Sequence, residues 1–219
     1  MKRLAPICVI CAICGCSQPA PPPATPTPPP PITHEFRVRI VITDPTWKQE
    51  TIQKRIDVAQ AIYAERGWRF TVTSIGSSNR PELITVEDRD LPVMLRETSA
   101  VPDPIAVFCG DIYVSADEDG SGPLPSVLSY YGGIGYPLPA KLLVVAKVSC
   151  EDVLAHEYGH VLCQDHVEQD GNTMDVTTCK ATSRFTAQQA ASMLACASDR
   201  KRATARITDL KPFVCKGRK

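Results

Sequence analysis

The chain carries four histidines, and three of them fall within eleven residues: His156-Glu157-Tyr158-Gly159-His160-Val161-Leu162-Cys163-Gln164-Asp165-His166. If this run is helical, His156 and His160 stand one turn apart and present two imidazoles to one metal ion, while Glu157 can hold a water beside it. That is the layout of a catalytic zinc site, which takes three protein ligands and keeps one position for water. His166 is the candidate third ligand. It lies six residues past His160, so the chain must leave the helix and turn back before the imidazole can reach the metal. A glutamate from a later helix is not available, because the only glutamate after Glu157 is Glu168. Asp170, Asp175, Asp199 and Asp209 are weaker alternatives. Two histidines on a solvated helix face would explain His156 and His160 alone, but not Glu157, His166 or the scarcity of histidine elsewhere.

The elements that must position these groups can be read around them. Phe36–Ile42 alternates and then turns apolar, as a strand entering a covered sheet does. Thr46 with Gln49 suits a helix start, and Ile52, Ile56, Ala59 and Tyr63 recur on one face until Gly67. Arg69–Ile75 is a second strand, and strand, long helix and strand in this order predict a right-handed crossover with parallel pairing. Leu83–Val86 and Ile105–Phe108 read as short strands. Asp117–Gly122 is an acidic loop, either a solvated turn or a calcium site. Gly132–Pro137 is too rich in glycine for an interior strand and suits an edge or a rim approached by another backbone. Leu142–Ala146 is a buried strand leading to the histidine helix, whose start Ser149 and Asp152 would cap. Thr186 with Gln189 opens a last helix through Ala190, Met193 and Leu194 to about Ala197.

Around the histidines the chain resembles the metzincins, whose signature is His-Glu-x-x-His-x-x-Gly-x-x-His followed by a methionine-containing turn. His156, Glu157, His160 and His166 match at that spacing, and Asn172-Thr173-Met174-Asp175 looks like the Met-turn. The resemblance implies an α+β, zincin-type domain with a twisted mixed sheet, a backing helix, an active-site helix and a C-terminal helix. It also implies zinc as cofactor, His156, His160 and His166 as its ligands, Glu157 as general base and Met174 as the floor of the site. Substrate would lie extended along an edge strand, for which Gly132–Tyr136 is the candidate, with Tyr130, Tyr131 and Tyr136 near its subsites. Two departures stand out. Cys163 replaces the family's glycine at the helix exit, where a left-handed backbone is needed. Val176 stands where some members carry a zinc-contacting tyrosine.

Residues 1–15 read as a signal peptide, and Ile13-Cys14-Gly15-Cys16 resembles a lipobox with Cys16 as the lipidated residue. An ordinary secretory signal is the alternative. Nine prolines among residues 18–32 favour extended polyproline II, a tether of up to about 45 Å at about 3.1 Å per residue. Residues 33–219 are then one catalytic domain, exported and lipid-anchored, with the outer membrane as the expected location. Without residues 1–15 the 24 basic and 24 acidic residues become 22 and 24, which gives no reason to expect nucleic acid. The partners expected are a peptide or protein substrate and the membrane, with the chain acting as a monomer.

Six cysteines remain in the domain, an even number that implies three disulfides in an exported protein. The pairing expected is Cys109–Cys150, Cys163–Cys179 and Cys196–Cys215, the second tying the zinc loop to the segment after the Met-turn. A free Cys163 thiol that binds zinc is the sharper alternative. Three functions follow: a zinc endopeptidase, a zinc-stabilised binding lipoprotein without turnover, and a surface protein whose histidines bind nothing.

Overall fold

Phe36, Val38 and Ile40 of strand β1 (His34–Ile42) are buried on one side, following the two-residue period of a strand. Asp44 ends it by accepting hydrogen bonds from Thr46 N (2.8 Å) and Oγ1 (2.6 Å). Thr46 is therefore used in that turn and does not cap helix α1 (Gln49–Ala64), which starts after Lys48 without a side-chain cap. The expected face of α1 is the buried one, and Gly67 takes a left-handed φ of 70° just beyond its end. Strand β2 (Trp68–Ser77) then pairs parallel with β1.

The computed structural model describes residues 31–114, 129–175, 182–199 and 213–216, with the backbone alone at 114, 129–131 and 213–216. Strands β3 (Thr85–Glu87), β4 (Ile105–Phe108), β5 (Asp111–Val114), β6 (Ser129–Gly135) and β7 (Leu142–Val145) complete a mixed sheet in the order β2-β1-β4-β7-β6-β5-β3. Leu83, read as strand, lies in a 3₁₀ turn, and helix α2 (Leu91–Ser99) fills a stretch whose pattern was not legible. β7 is fully buried because both its faces are covered: Leu143 and Val145 pack with α1 and the histidine helix, Leu142 and Val144 with α2. Such a strand reads as an uninterrupted apolar run. Among the described residues no helix is long and apolar enough to cross a membrane. The acidic loop 117–122 lies outside the described residues.

Two expectations are corrected. Gly132–Tyr136 is not an open edge. β6 has β7 antiparallel on one side and, on the other, strand β8 (Phe213–Lys216), also antiparallel. A bare edge leaves N–H and C=O groups without a ladder partner, and residues near the C-terminus supply one here. The disulfide pairing also differs. Cys163 bonds Cys196, with a Cα–Cα distance of 6.1 Å, because helix α4 (Ala187–Ser198) returns beside the exit of the histidine helix. This excludes both Cys163–Cys179 and Cys196–Cys215. Cys109 is a buried free thiol in the core beneath α2, whereas Cys150 is disulfide-bonded, so Cys109–Cys150 is excluded too. Cys179 lies outside the described residues.

The Cys163–Cys196 bond spans 33 residues, and closing a loop of that size in the unfolded chain is worth about 3–4 kcal/mol. The double variant Cys163→Ser, Cys196→Ser should lose about that much stability in urea unfolding. Non-reducing peptide mapping should recover the two cysteines together.

Candidate metal centre

All nine residues of helix α3 (Val153–Val161) are buried, so it is placed by what surrounds it on every side. Neither expected cap holds its start. Ser149 donates to Ala146 O, and the Asp152 carboxylate accepts from Ser183 Oγ (2.6 Å). The approach to α3 is held instead by Arg55 of α1, whose guanidinium lies over the Trp47 ring (4.5 Å to its centre) and donates to Ser149 O (2.7 Å) and Lys147 O (3.3 Å). Burial lowers the Arg55 pKa to about 10, which leaves it cationic at neutral pH. Its only trace in the sequence is an arginine on the apolar face of α1, one residue before Ile56.

Glycine explains how closely α3 approaches β6. A Cβ on Gly133 would lie 2.6 Å from Glu157 Cδ, and one on Gly135 would lie 2.6 Å from His160 Cβ and 2.9 Å from Glu157 O. The glycine-rich strand is thus a rim approached by another backbone, that of the histidine helix. Gly159 has the same role on the opposite side of α3, where its added Cβ would come within 2.5 Å of Met174 Sδ.

Just beyond α3 and its C-cap Leu162 stands Cys163, whose φ of 63° is left-handed and costs a non-glycine residue about 1 kcal/mol or more. From there the chain turns back, and the three imidazoles meet. Their ligand nitrogens all lie within 4.8 Å of one another, with Nε2–Nε2 distances of 3.1 Å between His156 and His160 and 3.0 Å between His160 and His166. His156 Nδ1 donates to Thr173 O and His160 Nδ1 to Gln164 O, each at 2.6 Å. A carbonyl can only accept, so the proton of each of these two rings sits on Nδ1, and Nε2 is the nitrogen able to act as a ligand. Burial holds both rings neutral: it pushes His156 down to about 3, with the nearby His166 adding to the shift, and His160 well below its usual value.

Nε2 atoms presented to one point in this way can hold a cation. The spacing suits one, since two nitrogens about 2.0–2.1 Å from a tetrahedral zinc lie about 3.3 Å apart. The carbonyl contacts at Nδ1 are the outer partners that metal-bound histidines use.

Met174 is fully buried below this point. Asn172 Oδ1 accepts from Met174 N (2.9 Å) and from Gln189 Nε2 (3.2 Å), and Val167 N donates to Met174 O (3.1 Å). Gln189 also completes the expected capping box with Thr186, so the start of α4 and the methionine turn share one hydrogen-bonded unit. Sequence reasoning found the cap but not this second use of it.

Among the described residues His156, His160 and His166 form the one cluster of three potential ligands. His34 is elsewhere, beside Thr33 at the start of β1. Asp170 and Asp199 are exposed, Asp175 is buried outside the cluster, and Asp209 is outside the described residues. Cys163 is spent in its disulfide, which overturns the free-thiol alternative. Tyr136 is buried; the side chains of Tyr130 and Tyr131, and all of Val176 and Cys16, lie outside the described residues.

No protein-family model and no curated protein matches the chain. Archaemetzincin from Methanopyrus kandleri is similar in structure, with a TM-score of 0.51 over 75% of this chain and 97% of that one at 13% identity. Metalloproteinase-II from Bacteroides fragilis has a TM-score of 0.48 at 13% identity over 78% of this chain, which spans 55% of that protein's length. At such identity the likeness to archaemetzincin is one of fold alone: a mixed sheet with packed helices similar to zinc metalloprotease folds.

Two outcomes follow from the geometry. His156 and His160 take up protons more readily unfolded, where histidine titrates near 6.5, than folded. Stability of the metal-free chain should therefore fall as pH drops below about 6.5 toward 3, by up to about 1.4 kcal/mol per pH unit for each histidine. A His156→Leu chain should show a shallower fall in thermal unfolding between pH 6.5 and 4. Gly135→Ala meets rigid helix atoms and should cost about 1–3 kcal/mol in stability, whereas Gly133→Ala meets a side chain that can swing away and should cost less.

Proposed function

We propose that this chain is a zinc-dependent endopeptidase. One observation carries the reading: three imidazoles whose ligand nitrogens converge within 4.8 Å of one another, and next to the first of them a carboxylate on the same helix, lying against Gly133 of β6. The fold shared with archaemetzincin is consistent with it. His156, His160 and His166 would hold the ion. When bound, zinc would supply Lewis acidity, lowering the pKa of a water toward about 7 and polarising the scissile carbonyl.

The chain's own residues do the rest. Glu157 accepts the proton of the attacking water and passes it to the leaving amine. Gly133 lets that carboxylate lie against β6, and is in this sense a positioning residue. Met174 and the buried face of α3 give the site an apolar floor, and the Thr173 and Gln164 carbonyls keep the imidazole tautomers correct for binding metal. We also propose that the protein is exported and lipidated at Cys16, which the lipobox resemblance of residues 13–16 and the Cys163–Cys196 disulfide support.

A binding protein of the same architecture without turnover is the second reading, favoured by the strand that covers β6. Glu157→Gln separates the two. It keeps the side chain's size but cannot take a proton. Zinc content should stay at one per chain while cleavage of an unfolded-protein and peptide panel falls about a hundredfold or more. A zinc-loaded wild type that cleaves no member of the panel leaves only the binding protein. For export, Cys16→Ser should release the protein from membranes or block its processing; unchanged fractionation would favour a secreted form.

A further inference from the structure

β6 carries the three residues nearest the chemistry on one strand: Gly133 lies against Glu157, Gly135 against His160, and Ile134 stands between them. A polypeptide that added to its outer side would run one strand spacing, about 4.8 Å, from those residues. Strand addition draws its affinity from backbone hydrogen bonds and so accepts many sequences. That position is filled. In β8, Phe213 stands opposite Gly135, Val214 opposite Ile134, Cys215 opposite Gly133 and Lys216 opposite Tyr131. β7 takes the other side of the same three residues, opposite Leu143, Val144 and Val145. The register of β8 slips between Tyr131 and Gly133, so two steps on β6 meet one on β8 and the ladder is interrupted just past Gly133.

We infer that Phe213–Lys216 is a tethered occupant of the outer side of β6, the position beside Glu157 and His160 that an incoming extended polypeptide must take by displacing it. The occupancy stands on strand pairing alone; its effect on cleavage rests on the peptidase reading. Within the described residues 213–216 the register slip breaks the pairing, and a ladder with a break in it is weaker than a continuous one. The occupant also describes what fits: an extended segment antiparallel to β6, with aromatic and β-branched residues such as Phe213 and Val214 that favour strands. A tethered strand acts at an effective concentration of about 1 mM. If a free strand of this kind binds with a dissociation constant near 100 µM, the tether lowers access to the edge about tenfold.

The test uses the full chain, loaded with zinc. Val214→Pro removes the N–H of the central β8 residue and disfavours its ladder. In a Glu157→Gln background, where nothing turns over, a fluorescein-labelled peptide of residues 210–219 carrying Cys215→Ser should bind the Val214→Pro chain about tenfold more tightly than the unaltered one. With Glu157 restored, Val214→Pro should raise kcat/KM on unstructured peptides about tenfold, mainly through KM, and added peptide should reverse the gain. Equal peptide binding by both chains, with unchanged thermal unfolding, overturns the inference. Tighter binding to Val214→Pro without cleavage by either chain supports the occupant and removes the peptidase. If Val214→Pro does not fold, hydrogen exchange on the native chain decides: protection of the amides of residues 213–216 supports β8, and exchange at the rate of a free peptide overturns it.

Discussion

The ligand nitrogens of His156, His160 and His166 converge within 4.8 Å of one another, at 3.1 Å between the first two and 3.0 Å between the last two. Much of the domain can be understood as enforcing that meeting. The Thr173 and Gln164 carbonyls take the Nδ1 protons, which fixes both tautomer and ring direction. Burial then keeps His156 and His160 neutral by denying a charged imidazole its water. Converging imidazoles with two tautomers set for Nε2 ligation are a donor set that suits a metal ion.

The second constraint is close approach. α3 can lie against β6 only because Gly133 and Gly135 lack side chains, and it can sit on Met174 only because Gly159 does. Its exit needs a left-handed residue, and Cys163 supplies one at a cost that a glycine would not incur. The same residue is covalently tied to Cys196 on α4. The disulfide thus fastens the turn that brings His166 back, while Asn172 and Gln189 fasten the turn that carries Met174. Helix α4 holds both, which gives a physical role to an element remote in sequence from the histidines.

Much of this was legible in residue order, and the limits have physical causes. The histidine cluster, the α1 face and the buried β7 run are local patterns with a fixed period, so they survive without knowledge of tertiary contacts. Thr46 and Asp152 were misread because a short polar side chain can serve a turn, a cap or a distant partner equally well, and Asp44 and Ser183 claimed them. Disulfide partners depend on which elements return to one another, and nothing near Cys163 announces Cys196. The glycines of β6 signalled a close approach, yet the strand that covers its other side comes from residues 213–216, far along the chain. Arg55 was missed because charge on an apolar helix face ordinarily means solvent, not a guanidinium holding the loop before α3.

The central claim is that His156, His160 and His166 are the protein ligands of one zinc ion. X-ray absorption at the zinc edge of the purified, loaded chain addresses it most directly. The account predicts three imidazole nitrogens at about 2.0–2.1 Å, one further light oxygen ligand and no sulfur. A sulfur shell near 2.3 Å, or a shell of oxygens with fewer than three imidazoles, would contradict it.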